Sequence, residues 1–124
     1  MSLVLDAGAL IAIERGDRDT AAIIEVARRE GRDIVVPAGV VGQVWRGGER
    51  QARLARLLNA LDVLVETLTD TGARAAGVLC GAAGTSDVID ASVVLSALRR
   101  HATVVSSDRA DLALLDPALP IVDC

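Results

Sequence analysis

Short apolar runs of strand character alternate with helix-patterned stretches along the chain, and this alternation limits the fold more than any other feature. The runs are Leu3 to Leu5, Ile34 to Val36, Asp62 to Val65, Val104 to Val105 and a marginal Ile121 to Val122. Between them, helical spacing of apolar residues predicts helices over Ala7 to Glu14, Thr20 to Arg29, Ala38 to Trp45, Glu49 to Leu61, Asp70 to Gly81, Val88 to Arg100 and Asp108 to Leu115. Gly16-Asp17, a C-capping Gly31, Pro37, Gly47-Gly48 and the small-residue stretch Gly81 to Ser86 separate them. Consecutive strands joined through helices pair in parallel, and a parallel sheet needs helices on both faces. The expectation is therefore an α/β protein with a central, mainly parallel sheet of four to five strands. With no linker or repeat in view, residues 1–124 read as one domain.

Aspartate recurs where the strand-like runs give way to helices. Asp6 ends the first run, Asp87 and Asp90 open the helix after the small-residue loop, and Asp108 and Asp111 follow the fourth run. Each suits a helix N-cap or first turn. Residues three apart also share a helix face, and carboxyl ends of parallel strands open into one crevice. Carboxylates gathered there repel one another unless a cation stands between them. Asp90 precedes the apolar Ala91 and Val93-Val94-Leu95, so its face turns inward and needs a partner. No lysine lies nearby, which favours a metal ion while leaving an arginine open. Asp123, at the C-terminal end, falls outside the pattern.

Composition narrows the chemistry. The formal charge is −4 and Trp45 is the only aromatic residue. A binder relying on phosphate attraction is usually basic, and single-strand binders stack bases on several aromatics. A nuclease working through bound cations escapes both objections, because the ion inverts the local field. Cys80 and Cys124 are isolated, and no Cys/His cluster exists for structural zinc. His101 reads as a solvated residue at a helix C-terminus. The N-terminal run lacks a basic segment before it, and no apolar run reaches the length of a membrane span. A cytoplasmic protein is expected, without membrane attachment. Magnesium prefers oxygen ligands and keeps several waters, so three or four carboxylates can hold one or two ions that activate water against a phosphodiester.

The same residues carry a resemblance to the PIN-domain ribonucleases, in particular to the VapC toxins of bacterial toxin–antitoxin pairs. The matching segments are Leu5 to Ala12, Pro37 through Trp45-Arg46-Gly47-Gly48, Asp87-Val88-Ile89-Asp90-Ala91, and Ser106-Ser107-Asp108 with Asp111. Their order and spacing span essentially the whole chain. The resemblance implies a PIN-like three-layer α/β/α fold, Mg2+ or Mn2+ dependence, endonucleolytic cleavage of RNA by metal-activated water, a cognate antitoxin that fills the site, and a homodimer. Carried over by position, Asp6, Asp90 and Asp108 are the catalytic acids, and Asp87 and Asp111 are further metal ligands. The family's second acid, a glutamate on the helix after strand two, is replaced here by Gln43. Gln43 would orient a ligand or substrate, with Arg46 beside it. The departure implies a weakened site, or an inactive PIN-like module that binds RNA or a protein without cutting it.

Arg46, Arg50, Arg53 and Arg56 follow at spacings of four, three and three. They read as one helical stripe, either tracking phosphates or forming a solvated face. Trp45 reads as a packing or interface anchor. A response-regulator receiver also gathers carboxylates at strand ends, but it needs a lysine near its last strand, and none stands there.

Overall fold

In a computed structural model describing residues 2–124, every expected strand forms. They are β1 (Ser2–Leu5), β2 (Asp33–Pro37), β3 (Val63–Glu66), β4 (Thr103–Ser106) and β5 (Ile121–Asp123). They make one five-stranded sheet in the order β3-β2-β1-β4-β5, with every pair parallel. The helices are α1 (Ala7–Arg15), α2 (Arg18–Arg29), α3 (Ala38–Val44), α4 (Ala52–Leu58), α5 (Asp70–Ala83), α6 (Val88–Arg100) and α7 (Arg109–Leu115). α1 packs against α2, α3 and α4, whereas α5, α6 and α7 pack together, giving three layers.

From β1 the chain moves outward to β2 and β3, then returns through α5 and α6 to place β4 on the other side of β1. The strand order therefore reverses between β1 and β4. At such a reversal the connecting helices diverge and leave a crevice beyond the carboxyl ends of the two strands.

The core is aliphatic. Leu5, Leu10, Ile34, Leu54, Leu112, the valines of β1, β2 and β4, and Val93 and Val94 of α6 are fully buried. Each such side chain contributes about 1.5–3 kcal/mol by leaving water. α6 is the most enclosed helix, with Ala91, Val93, Val94 and Ala97 against the sheet. No single helix among the described residues is long and apolar enough to cross a membrane.

Four expectations are corrected. The helix predicted over Glu49 to Leu61 is a 3-10 turn (Glu49–Gln51) followed by α4, which ends at Leu58; Leu61 is fully exposed. Asn59 bonds its side-chain amide to the Ala55 carbonyl, which closes the helix before the leucine spacing runs out. α5 runs on to Ala83 and ends at a left-handed Gly84, so the expected small-residue loop is shorter. Trp45 is 42% exposed and does not belong to the core. The arginine stripe does not lie on one helix either. Arg46 follows the end of α3, Arg50 sits in the 3-10 turn, and only Arg53 and Arg56 share α4.

Candidate metal centre

Asp6 leaves β1 and caps α1, its Oδ1 accepting the Ala9 amide proton at 3.2 Å. It is 3% exposed. Its other oxygen, Oδ2, accepts a hydrogen bond from the Ser106 hydroxyl at the end of β4. That hydroxyl also accepts the Asp108 amide proton at 2.8 Å. β1 and β4 pair directly, Leu5 opposite Val105, so the sheet register delivers Asp6 and Ser106 to the same place. The closeness requires Gly8. A Cβ at that position would stand 2.0 Å from Ser107 Oγ and 3.0 Å from the Ser107 amide nitrogen.

Asp87 caps α6, accepting the Asp90 amide proton at 2.9 Å. Asp90 is half-buried in the first turn. Asp108 occupies the N-cap position of α7 without a side-chain capping bond. Its carboxylate and that of Asp111 are exposed. The capping reading thus holds for Asp6 and Asp87 and fails for Asp108.

The five acids act on one another. Burial raises the pKa of Asp90 most, and the charges of Asp87, Asp111, Asp108 and Asp6 add to it, bringing it to about 7. Burial also raises Asp6, with Asp108 adding to the shift against the opposing bonds from Ser106 and Ala9. None of the five has an arginine partner among the described residues. Arg109 adjoins Asp108 in sequence but turns away, pairing with Asp123 at 2.9 Å and with the Ile121 carbonyl at 2.8 Å. The alternative of an arginine beside Asp90 therefore falls.

The donor set is all oxygen, anionic and without a counter-charge, which is the chemistry a hard divalent cation takes. In this conformation no three acidic, histidine or cysteine side chains among the described residues stand together as a finished ion cage. What converges is the electrostatic field, around a fixed Asp6 and a half-buried Asp90. Asp108 and Asp111 are exposed, with their carboxylates outside any ion pair.

Gln43 is exposed on α3, in a groove with Ile11, Arg15, Arg46 and Arg50. It makes no hydrogen bond to any of the acids. Arg46 bonds its own backbone neighbours, the Trp45 carbonyl at 2.7 Å and the Gly42 carbonyl at 3.3 Å. His101 caps α6 in the left-handed conformation and is exposed, as expected of a solvated terminal residue. Sequence reasoning gave no role to Ser106, Gly8 or Gln51. The hydroxyl-rich Ser106-Ser107-Asp108 run was the available signal for the first, and neither of the others carried one.

A family model described as the PIN domain matches residues 3–116. No curated protein matches the sequence significantly. Among solved structures, VapBC2 from Rickettsia felis, bound to a DNA fragment from their promoter, superposes with a TM-score of 0.72 at 16% identity, covering 100% of this chain and 99% of that one. FitAB bound to an IR36 DNA fragment superposes with a TM-score of 0.66 at 13% identity, covering 98% and 94%.

Proposed function

This chain belongs to the PIN-domain family, and on that premise we propose that it is a Mg2+- or Mn2+-dependent endoribonuclease, the toxin of a VapBC-type pair. One observation carries the reading. Five carboxylates with no arginine partner stand around the strand-order reversal, and burial, reinforced by the charges of the other four, brings Asp90 to a pKa of about 7. A divalent cation at such a site would relieve both the burial of the charge and the mutual repulsion of the carboxylates.

The residues divide the work. Asp6 is held by the Ala9 amide on one oxygen and the Ser106 hydroxyl on the other, so its carboxylate is oriented before any ligand arrives. Asp90, and Asp108, which is free of capping duty, would be the further ligands. Asp87 and Asp111 add negative charge from the rim. A divalent ion bound there would neutralise a phosphodiester and acidify the attacking water. Asp6 and Asp90 would orient that chemistry and hold the proton balance. The fold shared with VapBC2 and FitAB supports a cognate antitoxin as partner. A homodimer and a cytoplasmic location follow from the same family reading.

The experiment is cleavage of structured RNA by the full chain in Mg2+ or Mn2+, with EDTA as control. Asp6→Asn and Asp90→Asn are expected to abolish cutting while leaving the fold intact. Cutting that survives in Asp90→Asn overturns the proposal. Gln43 favours a second reading, a PIN module that binds without cutting. That reading predicts uncut RNA in either metal, with unchanged RNA binding.

A further inference from the structure

All thirteen basic residues are arginines. Seven of them, Arg28, Arg29, Arg32, Arg74, Arg99, Arg100 and Arg109, have carboxylate partners. Arg15, Arg18, Arg46, Arg50, Arg53 and Arg56 have none among the described residues. These six are not scattered: all belong to the α1 to α4 half of the chain, and three of them share one groove.

That groove, about 340 Å³, is lined by Ile11, Arg15, Gln43, Arg46 and Arg50, with Glu14 its one carboxylate. Through Ile11 and Arg15 it joins a second hollow of about 590 Å³, which reaches Gly8, Ser107 and Asp17. Ser107 directly follows Ser106, and Gly8 lies two residues after Asp6. A path therefore leads from the segments that carry Asp6 and Asp108 to three guanidinium groups free of carboxylate partners.

The far end of the path is built around a buried amide. Gln51, 4% exposed, accepts the amide protons of Arg46 at 2.9 Å and Gly47 at 3.0 Å. Its own amide donates to the Val44 carbonyl at 2.9 Å. Three hydrogen bonds from one side chain fix the turn over 44–48, whose Gly47 and Gly48 take φ of +77° and +98°. Arg46 donates to the Trp45 carbonyl within this turn and to the Gly42 carbonyl of α3, and the residue is otherwise exposed.

We propose that this groove holds the sugar–phosphate backbone of an RNA strand running from the acidic centre, with Arg15, Arg46 and Arg50 as the phosphate contacts. The proposal rests on the nuclease reading above and adds where the substrate lies. One polymer satisfies both ends of the path, because a phosphodiester takes a divalent cation at one end and guanidinium forks at the other. Gln43 gains a role in this arrangement. A glutamate there would set a second negative charge against the strand, whereas a neutral amide donates to it.

The test uses the full chain in EDTA, so that binding is read without cutting. The probe is a short labelled single-stranded RNA followed by anisotropy across a salt series. The emission of Trp45, the only tryptophan, follows the adjoining turn directly. Arg15→Gln, Arg46→Gln and Arg50→Gln are each expected to weaken binding several-fold and to flatten the log–log salt slope by about 0.7 per lost contact. Arg46→Lys, which keeps the charge, restores most of that slope. Arg29→Gln and Arg74→Gln, whose carboxylate partners lie elsewhere, change binding less than twofold. Equal losses in these controls, or an unaffected triple variant, overturn the proposal. So does a polyglutamate peptide of matched charge that competes as well as RNA, since it assigns the groove to an acidic protein. Failure to cut in Mg2+ with these binding effects intact defeats the nuclease reading alone. Cutting with none of them defeats this inference alone.

Discussion

The Ser106 hydroxyl donates to Asp6, a carboxylate 100 residues earlier in the chain, and holds it at the reversal of the sheet. Asp6 is buried, so it has no water to replace this bond. Ser106→Ala is expected to cost about 1–3 kcal/mol of stability, the penalty of leaving a buried polar group short of a partner. It also raises the Asp6 pKa further, because the lost bond is one that lowers it. Chemical denaturation checks the first effect and Mn2+ titration the second, as weaker ion binding. A variant matching wild type in both measurements removes Ser106 from the site.

Gly8 and Gly77 make a paired prediction. Gly8→Ala drives a methyl into Ser107, whose backbone and side chain both stand too close. Overpacking of this kind costs roughly 1–3 kcal/mol, and it also displaces the β4–α7 connection that carries Asp108. Gly77 is exposed within α5 and nothing lies within 4 Å of an added Cβ. Gly77→Ala should instead stabilise by about 0.5–1 kcal/mol through helix propensity. Thermal melts of the two variants should move in opposite directions.

Asp90 fixes the sign of a pH effect. Its folded pKa, about 7, lies above its ordinary 3.8, so the folded state holds the proton more tightly than the unfolded one. Its contribution to stability is full below about pH 4 and is lost as pH rises through 7. Asp17, Glu66 and Asp123 are shifted downward and act in the opposite sense, so the difference from Asp90→Asn isolates what Asp90 contributes. Without divalent cation, the melting temperature of Asp90→Asn should gain on wild type between about pH 5 and 8. Mg2+ should close that gap by stabilising wild type more at the higher pH. A gap that stays constant with pH, or ignores Mg2+, contradicts both the raised pKa and the ion site.

Gln43→Glu tests both roles suggested for that position. It restores an acid where the family carries one, so Mn2+ affinity and RNA cleavage should rise several-fold. The same charge faces the arginine groove, so RNA binding in EDTA should fall. If neither quantity moves, Gln43 belongs to neither site.

Much of the fold was legible because periodicity reports burial locally. α6 was read over Val88 to Arg100 and forms with those bounds, since its apolar spacing and its Asp87 cap both lie within the segment. The helix over Glu49 to Leu61 was overread, because Leu61 continues a leucine pattern that the chain abandons at Asn59. At the site, the acids were legible by type and position. Their environments were not: Asp6 and Asp108 look alike as N-caps in sequence, yet one is buried and bonded and the other is exposed and uncapped.

The sequence alone determined a parallel α/β sheet and the set of carboxylates at its strand ends, because both follow from patterns a few residues long. Only the tertiary structure decided that β4 returns beside β1, that Ser106 therefore reaches Asp6, and that Arg109 leaves the cluster for Asp123. Those outcomes depend on strand order and on the competition between distant partners. Contacts made across most of the chain leave no local pattern from which either could be read.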